Sequence, residues 1–186
     1  MDFINDAEKL HKQLAQAFKS LKPIFNDDGK WQAVRVYDMR GIDFDPELLA
    51  AVRTVFAVVL DPREQVLLVE HPKRGWEICG GHLSKDEVLG GYLEKGMQRE
   101  VVEESGYQVK DESLAFFAHV INKDESHNKE LGCPYPMQTL MATYIAEASK
   151  QVSTVYMDDI QQVGFFSVED ALSLVRSRNK AILEAL

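Results

Sequence analysis

Arg99-Glu100-Val101-Val102-Glu103-Glu104-Ser105-Gly106 is the stretch of sequence that decides the fold. In a helix its three glutamates, at spacings i, i+3 and i+4, would share one face, where each like-charge contact costs roughly 0.2–0.5 kcal/mol. Gly106 stands where a glycine commonly ends a helix. The residues alone allow two interpretations: a solvated charged face, or a site for a divalent cation, because Mg2+ prefers carboxylate oxygens.

The residues before this helix favour the cation site. Trp76-Glu77-Ile78-Cys79-Gly80-Gly81 ends in paired glycines, which let the backbone turn tightly and approach a ligand. The chain resembles the signature of the Nudix hydrolases, G-x5-E-x7-R-E-U-x-E-E-x-G-U, in which U is an apolar residue. The matching residues are Gly81, Glu87, Arg99, Glu100, Val101, Glu103, Glu104, Gly106 and Tyr107.

The chain departs from this signature in two places. Eleven residues separate Glu87 from Arg99, where the family has seven. Gly90-Gly91 would weaken a helix by about 1 kcal/mol per glycine, so we predict a loop insertion at residues 88–91 and a helix over residues 92–105. The insertion separates Glu87 from that helix, so the sequence leaves the role of Glu87 open. The second departure is Cys79, where the family often has proline.

The resemblance implies an α+β fold, in which a Nudix-like mixed β-sheet is sandwiched between helices and carries an N-terminal helical extension. Strands and helices follow one another without regular βαβ alternation, which favours the same class. We expect residues 1–52 to form the extension, packed on the core, and residues 53–186 to form the Nudix-like hydrolase domain.

Hydrophobic periodicity predicts the individual elements. Residues 6–21 have apolar residues at helical spacing, and Pro23 ends this helix. Its apolar stripe is expected to pack against the domain or a partner subunit rather than a membrane. Asp45-Pro46-Glu47 is typical of the start of a short helix. Apolar runs predict strands at residues 31–39, 54–60, 66–70, 114–121, 137–146 and 160–166. Ser167 then caps a helix to about residue 176, and a second short helix closes the chain.

The resemblance also implies the chemistry of the site. Mg2+, with Mn2+ as the alternative, would be held by the carbonyl of Gly81 and by Glu100, Glu103 and Glu104. Arg99 would pair with neighbouring acids, and Glu100 or Glu103 would take a proton from the attacking water. The enzyme would hydrolyse a pyrophosphate bond in a nucleoside diphosphate linked to another moiety. The alternative is a Nudix-like module that binds a nucleotide or regulates a partner without hydrolysis.

Composition limits the partners. A net charge of −9 disfavours a nucleic-acid polymer but allows a small phosphorylated substrate beside a bound metal. No apolar stretch approaches the roughly 18 residues of a membrane helix, and the N-terminus lacks a secretory pattern. Two cysteines, Cys79 and Cys133, make no disulfide framework, so we expect a cytoplasmic protein. If the apolar stripe of the N-terminal helix packs against a partner subunit, the protein forms a homodimer.

A few residues outside the signature are also candidates. Residues 122–136 are a long polar connection, and such connections often border a binding site. Glu125 or Glu130 could ligate metal or act as a base there, and His127 could act as an acid or base. His82 directly follows the paired glycines and is expected near the metal. His71, Lys73 and Arg74 follow the expected strand at residues 66–70 and are candidates for contact with substrate phosphate. Trp76 is expected to be a packing residue.

Overall fold

The computed structural model of the protein describes residues 3–30, 32–43, 45–123, 137–153 and 159–186, with side chains from residue 9 onward except that of residue 137. The helices are α1 (Phe3–Ala17), a 3-10 helix (Pro46–Ala51), α2 (Lys85–Gly90), α3 (Leu93–Ser105), α4 (Val168–Leu174) and α5 (Ser177–Glu184). The strands are β1 (Phe25–Asp28), β2 (Gln32–Asp38), β3 (Val52–Leu60), β4 (Val66–His71), β5 (Gly75–Glu77), β6 (Cys79–His82), β7 (Tyr107–Asn122), β8 (Met137–Gln151) and β9 (Gln162–Phe166).

These strands form one mixed sheet in the order β1-β2-β7-β8-β3-β4-β5, with β6 also paired to β3 and β9 to β4. The β3–β8 pair is parallel, and the other pairs are antiparallel. On β3, Val55 lies opposite Gly81 and Phe56 lies opposite Gly80. The central strand therefore fixes the position of the paired glycines.

Both faces of the sheet are covered by helices, as the α+β prediction requires. Along β3, Val55, Ala57 and Val59 belong to a core shared with α1 and α3, whereas Val58 belongs to a second core shared with α4 and α5. Alternate side chains of a strand point to opposite faces. The strand is therefore apolar from Val55 to Leu60, where neither face is open to water.

The N-terminal helix packs against its own domain. Leu14 is fully buried and Phe18 is 5% exposed, both in the core shared with α3, so the apolar stripe faces the sheet. The same N-terminal segment also contributes β1 and β2, and β2 pairs with β7. The domain boundary at residue 52 and the homodimer stay predictions. Within the described residues, no helix is long and apolar enough to cross a membrane.

Sequence periodicity located the long elements and missed the short ones. The expected strands at residues 31–39, 54–60, 66–70, 114–121, 137–146 and 160–166 are present, the fourth and fifth of them as parts of the longer β7 and β8. Three short strands, β1, β5 and β6, were not predicted, because they are three or four residues long and too short for a period to show. Residues 124–136, which include Glu125, His127 and Glu130, lie outside the described residues.

Candidate active site

The segment before the glutamate helix is a separate short helix. Ser84 caps α2 in a capping box: its Oγ accepts from the N–H of Glu87 at 3.3 Å, and Glu87 Oε2 accepts from the N–H of Ser84 at 2.7 Å. Gly91 ends α2 in the left-handed conformation (φ 67°), and α3 begins at Leu93. The expected start of the helix near residue 92 is confirmed. The expected loop at residues 88–91 is wrong, because residues 88–90 continue α2 and only Gly91 and Tyr92 break the helix.

The break at Gly91 and Tyr92 reverses the direction of the chain between α2 and α3, and this places Glu87 beside Arg99. Arg99 Nε donates to Glu87 Oε1 at 3.0 Å, and Arg99 Nη2 donates to Glu87 Oε2 at 2.9 Å. Hydrogen bonds from Arg99 lower the pKa of Glu87 to about 2. The insertion therefore does not remove Glu87 from the cluster, a contact that the sequence alone had left open. No sequence count could have found this pair, because it depends on the turn at Gly91.

Arg99 also holds two glutamates of its own helix. Its Nη1 donates to Glu100 Oε1 and to Glu103 Oε2, at 2.8 Å in each case, and its Nη2 donates to the carbonyl of His82 at 3.0 Å. These bonds, that to Glu87 first, raise the pKa of Arg99 above its ordinary value. One guanidinium thus fixes α2, the backbone at His82 and the two glutamates relative to one another.

The paired glycines allow two buried carboxylates to lie against the backbone. The N–H of Gly80 donates to Glu104 Oε2 at 2.8 Å. A Cβ atom on Gly81 would come within 2.4 Å of Glu100 Oε2, so only glycine leaves room for that carboxylate. Glu100 is 7% exposed and Glu104 is 9% exposed. Both carboxylates are therefore largely withdrawn from water at the turn that the sequence predicted to be a ligand site.

Burial makes the ionised forms of these two acids unfavourable. Desolvation raises the pKa of Glu104 to about 7; the Gly80 N–H opposes this rise, and the charges of Glu100 and Glu77 add to it. Desolvation also raises the pKa of Glu100, although Arg99 opposes it. Arg99 pairs with Glu100, whereas Glu104 has no ion pair among the described residues, so a divalent cation would stabilise the two ionised acids together.

The family match agrees with this geometry. The NUDIX domain model matches residues 50–186, which is most of the chain. The chain belongs to the Nudix family. It is therefore an enzyme of the Nudix type, whose common chemistry is hydrolysis of a pyrophosphate bond. The chain matches no curated protein sequence.

Solved Nudix structures share the fold at low sequence identity. The pyrophosphohydrolase BsRppH of Bacillus subtilis, solved as a point mutant, has a TM-score of 0.55 at 19% identity over 76% of this chain and 77% of its own. A Nudix hydrolase from Nitrosomonas europaea has a TM-score of 0.53 at 22% identity over 72% and 86%. The Nudix domain of Shewanella oneidensis NrtR, solved with ADP ribose, has a TM-score of 0.53 at 19% identity over 76% and 90%. At these identities the likeness establishes the fold alone.

The residues expected from the Nudix signature lie close together, whereas the candidates outside the signature lie in different surroundings. Gly81, Arg99, Glu100, Glu103 and Glu104 all lie at the junction of β6 and α3; their individual roles stay predictions. The other candidates have different surroundings: His82 is exposed, His71 is buried with Nε2 3.1 Å from Asp159, and Trp76 packs its ring edge-on against Phe166 at 4.9 Å. Arg176 and Arg178, at the start of α5, were not among the expected residues; they line a cavity together with Arg74, Trp76 and Glu77.

Proposed function

We propose that this Nudix enzyme hydrolyses, with Mg2+, a pyrophosphate bond in a nucleoside diphosphate linked to another moiety. The observation that carries the proposal is the position of Glu100 and Glu104, two buried carboxylates held against the backbone of Gly80 and Gly81. Burial raises the pKa of both carboxylates, and the charges of neighbouring acids, which form a local excess of negative charge, add to this rise. A divalent cation would offset this excess and could then attract a substrate diphosphate.

The oxygen atoms of the glutamates are suitable ligands for a metal ion, although their side chains are not close enough together to form a complete metal site. Among the described side chains, no three acidic, histidine or cysteine groups are close enough together to hold one. Arg99 occupies one oxygen each of Glu100 and Glu103, which leaves Glu100 Oε2 and Glu103 Oε1 for ligation. With Glu104 and the Gly81 carbonyl, these oxygens make the hard donor set that Mg2+ or Mn2+ prefers.

The residues of the site would then have different roles in the reaction. The metal, when bound, supplies positive charge to the diphosphate and acidifies water. Glu87 holds Arg99, and Arg99 fixes the rotamers of Glu100 and Glu103 rather than touching substrate. Glu100 or Glu103 would accept a proton from the water that attacks phosphorus. Cleavage of the bridging P–O bond would release two phosphorylated products.

Metal dependence and the glutamates test this proposal together. Release of phosphate or nucleoside monophosphate from a substrate panel should require Mg2+ or Mn2+, and Glu103→Gln and Glu104→Gln should lower kcat by about a hundredfold or more. Glu64→Gln, at an exposed position of the β3–β4 turn, is the matched control. Wild-type turnover in both glutamine variants would show that Glu103 and Glu104 hold no catalytic metal. Nucleotide binding without turnover in any metal would favour the non-hydrolytic module.

The cellular location is a separate proposal. We infer a cytoplasmic enzyme because Cys79 is a buried free thiol and the chain offers no set of cysteines for a disulfide framework. Fractionation of cells with an antibody against the protein would test it, and recovery in a secreted fraction would contradict it.

A further inference from the structure

A cavity beside the acidic cluster has the opposite charge. It has a volume of about 310 Å3 and lies between β5 and the start of α5, lined by Arg74, Trp76, Glu77, Arg176, Ser177, Arg178 and Asn179. Three arginines and one glutamate give this cavity a positive charge in a chain whose net charge is −9. Such a local reversal of sign attracts anionic ligands.

Arg178 is a partly buried arginine whose contacts are with neutral groups. Its guanidinium lies over the ring of Phe56, 4.3 Å from the centroid, and its Nη1 is 2.6 Å from the sulfur of Met141. Its Nε makes a 3.4 Å contact with the amide oxygen of Asn179. Among the ion pairs of the described residues, none includes Arg178. Desolvation lowers its pKa, because burial makes the charged guanidinium less stable than it is in water. An anionic ligand would offset this loss of hydration free energy.

The other two arginines leave donors for a ligand. Arg176 is exposed and has no ion pair in the part of the chain that the structure describes. It stands at the N-cap of α5, where no side chain accepts from the first-turn N–H groups. Arg74 lines the cavity and donates its Nε–H to Glu77 at 2.7 Å. Guanidinium groups bind phosphate oxygens in pairs of hydrogen bonds.

Electrostatics and packing both relate the cavity to the acidic cluster, since the charge of Glu77 acts on Glu104 and on Arg178. Glu77 lines the cavity, and its charge and that of Arg74 both act on Glu104. On the strand side, the Gly80 that donates to Glu104 packs so closely on Phe56 that an added Cβ would lie 2.6 Å from the ring. Arg178 covers that same ring. A substrate could therefore extend from the glutamates, past Glu77, to the arginines.

We propose that this arginine pocket, Arg74, Arg176 and Arg178, binds a phosphate group of the substrate beyond the scissile diphosphate. The inference rests on the proposed function and narrows its substrate class. The second moiety of the substrate carries phosphate, as in nucleoside triphosphates or dinucleoside polyphosphates, and is not a neutral sugar. Trp76, held by Phe166, forms a wall of the pocket.

Binding without metal tests the pocket apart from hydrolysis. Calorimetry of the chelator-treated protein with inorganic tripolyphosphate should give a saturable signal. Arg176→Ser, at an exposed position, and Arg178→Met, which replaces the guanidinium by an unbranched apolar side chain, should each weaken it about tenfold or more. Arg178→Lys should recover part of the loss, because it keeps the charge. Arg63→Met, 84% exposed in the β3–β4 turn, is the matched control. Equal binding by all variants would overturn the proposal.

Turnover then tests the substrate class. With Mg2+, Arg178→Met should raise KM for a nucleoside triphosphate and for a dinucleoside tetraphosphate about tenfold with little change in kcat. KM for ADP-ribose and UDP-glucose, which carry no phosphate beyond the diphosphate, should not change. A comparison of the nucleoside triphosphate with the dinucleoside tetraphosphate shows which of the two substrates supplies the phosphate that the pocket binds. Equal KM changes for all four would overturn the proposal. Arginine-dependent binding of tripolyphosphate without turnover of any substrate would support the pocket and refute the proposed function.

Discussion

Glu104 is a buried acid whose protonation should control the stability of the metal-free protein. Its folded pKa of about 7 exceeds the ordinary value of 4.5, so the folded state holds a proton that the unfolded state releases between these two pH values. Stability should therefore be highest below about pH 4.5, as far as this group is concerned, and should fall as the pH rises toward 7. At about 1.4 kcal/mol per pKa unit, the loss is about 3 kcal/mol.

Chemical denaturation in the presence of a chelator, from pH 5 to pH 8, measures this dependence. Glu104→Gln should remove most of the slope, since the amide has no charge to bury and keeps an oxygen to accept from Gly80. Glu64→Gln should keep the wild-type slope. A slope that is unchanged in Glu104→Gln would assign the pH dependence to another group.

Gly80 and Gly81 should respond differently to the same substitution. On Gly81 an added methyl group would meet the end of a flexible side chain, the Glu100 carboxylate, at 2.4 Å. Gly81→Ala should therefore fold, with a stability change below about 1 kcal/mol, but displace Glu100 and lower kcat at least about tenfold. On Gly80 the methyl group would meet the carbonyl oxygen of Val55 at 2.2 Å, at a φ of 151°.

Thermal unfolding and steady-state kinetics on the two alanine variants separate these effects. Gly80→Ala should lose several degrees or more in Tm because the clash is with backbone, whereas Gly81→Ala should keep its Tm and lose activity. Full activity in Gly81→Ala would show that the position of Glu100 is not needed for catalysis.

At the scale of elements, α2 explains why the site was predicted only in part. The cluster on α3 follows from spacing within one helix, so the sequence could place Arg99, Glu100, Glu103 and Glu104 on one face. Glu87 reaches the cluster only because a second helix ends at Gly91 and the chain reverses. The arginine pocket is even less visible in sequence, since it joins residues about 100 positions apart through the packing of α5 on the sheet.

Glu87→Gln tests whether α2 positions Arg99. Glutamine can keep the capping box with Ser84 but loses the charge that pairs with Arg99. Because Arg99 is one-third exposed, the stability loss should be small, about 1 kcal/mol or less, while kcat should fall about tenfold with KM little changed. Since the pKa of Glu87 is lowered to about 2, its contribution to stability is present above about pH 4.5 and disappears toward pH 2.

The stability difference between wild type and Glu87→Gln should therefore vanish in acid. Asp86→Asn removes the same charge from an exposed position of the same helical turn and is the matched control. If both variants lose kcat equally, the effect is one of local charge and not of the Arg99 contact.

At the scale of the whole molecule, the N-terminal segment is part of the core and of the sheet. Leu14 and Val36 are fully buried, and β2 pairs with β7 in continuous register from Gln32 opposite Asn122 to Asp38 opposite Phe116. The sequence predicted the helix from its 3.6-residue period. It could not predict the pairing of β2 with β7, because that contact spans about 80 residues and depends on the order of strands in the sheet.

Two truncations separate the contributions of the helix and the strands. Removal of residues 1–52 should expose the edge of β7 and part of the core, so the product should aggregate, since an unpaired edge strand is a template for association. Removal of residues 1–21 keeps β1 and β2 over that edge and deletes Leu14 and Phe18. That shorter truncation should stay soluble but unfold at a lower temperature, because each buried large side chain contributes about 2–5 kcal/mol. Light scattering and calorimetry measure both outcomes. A monomeric, cooperatively folding and active 53–186 fragment would instead establish residues 1–52 as a dispensable extension.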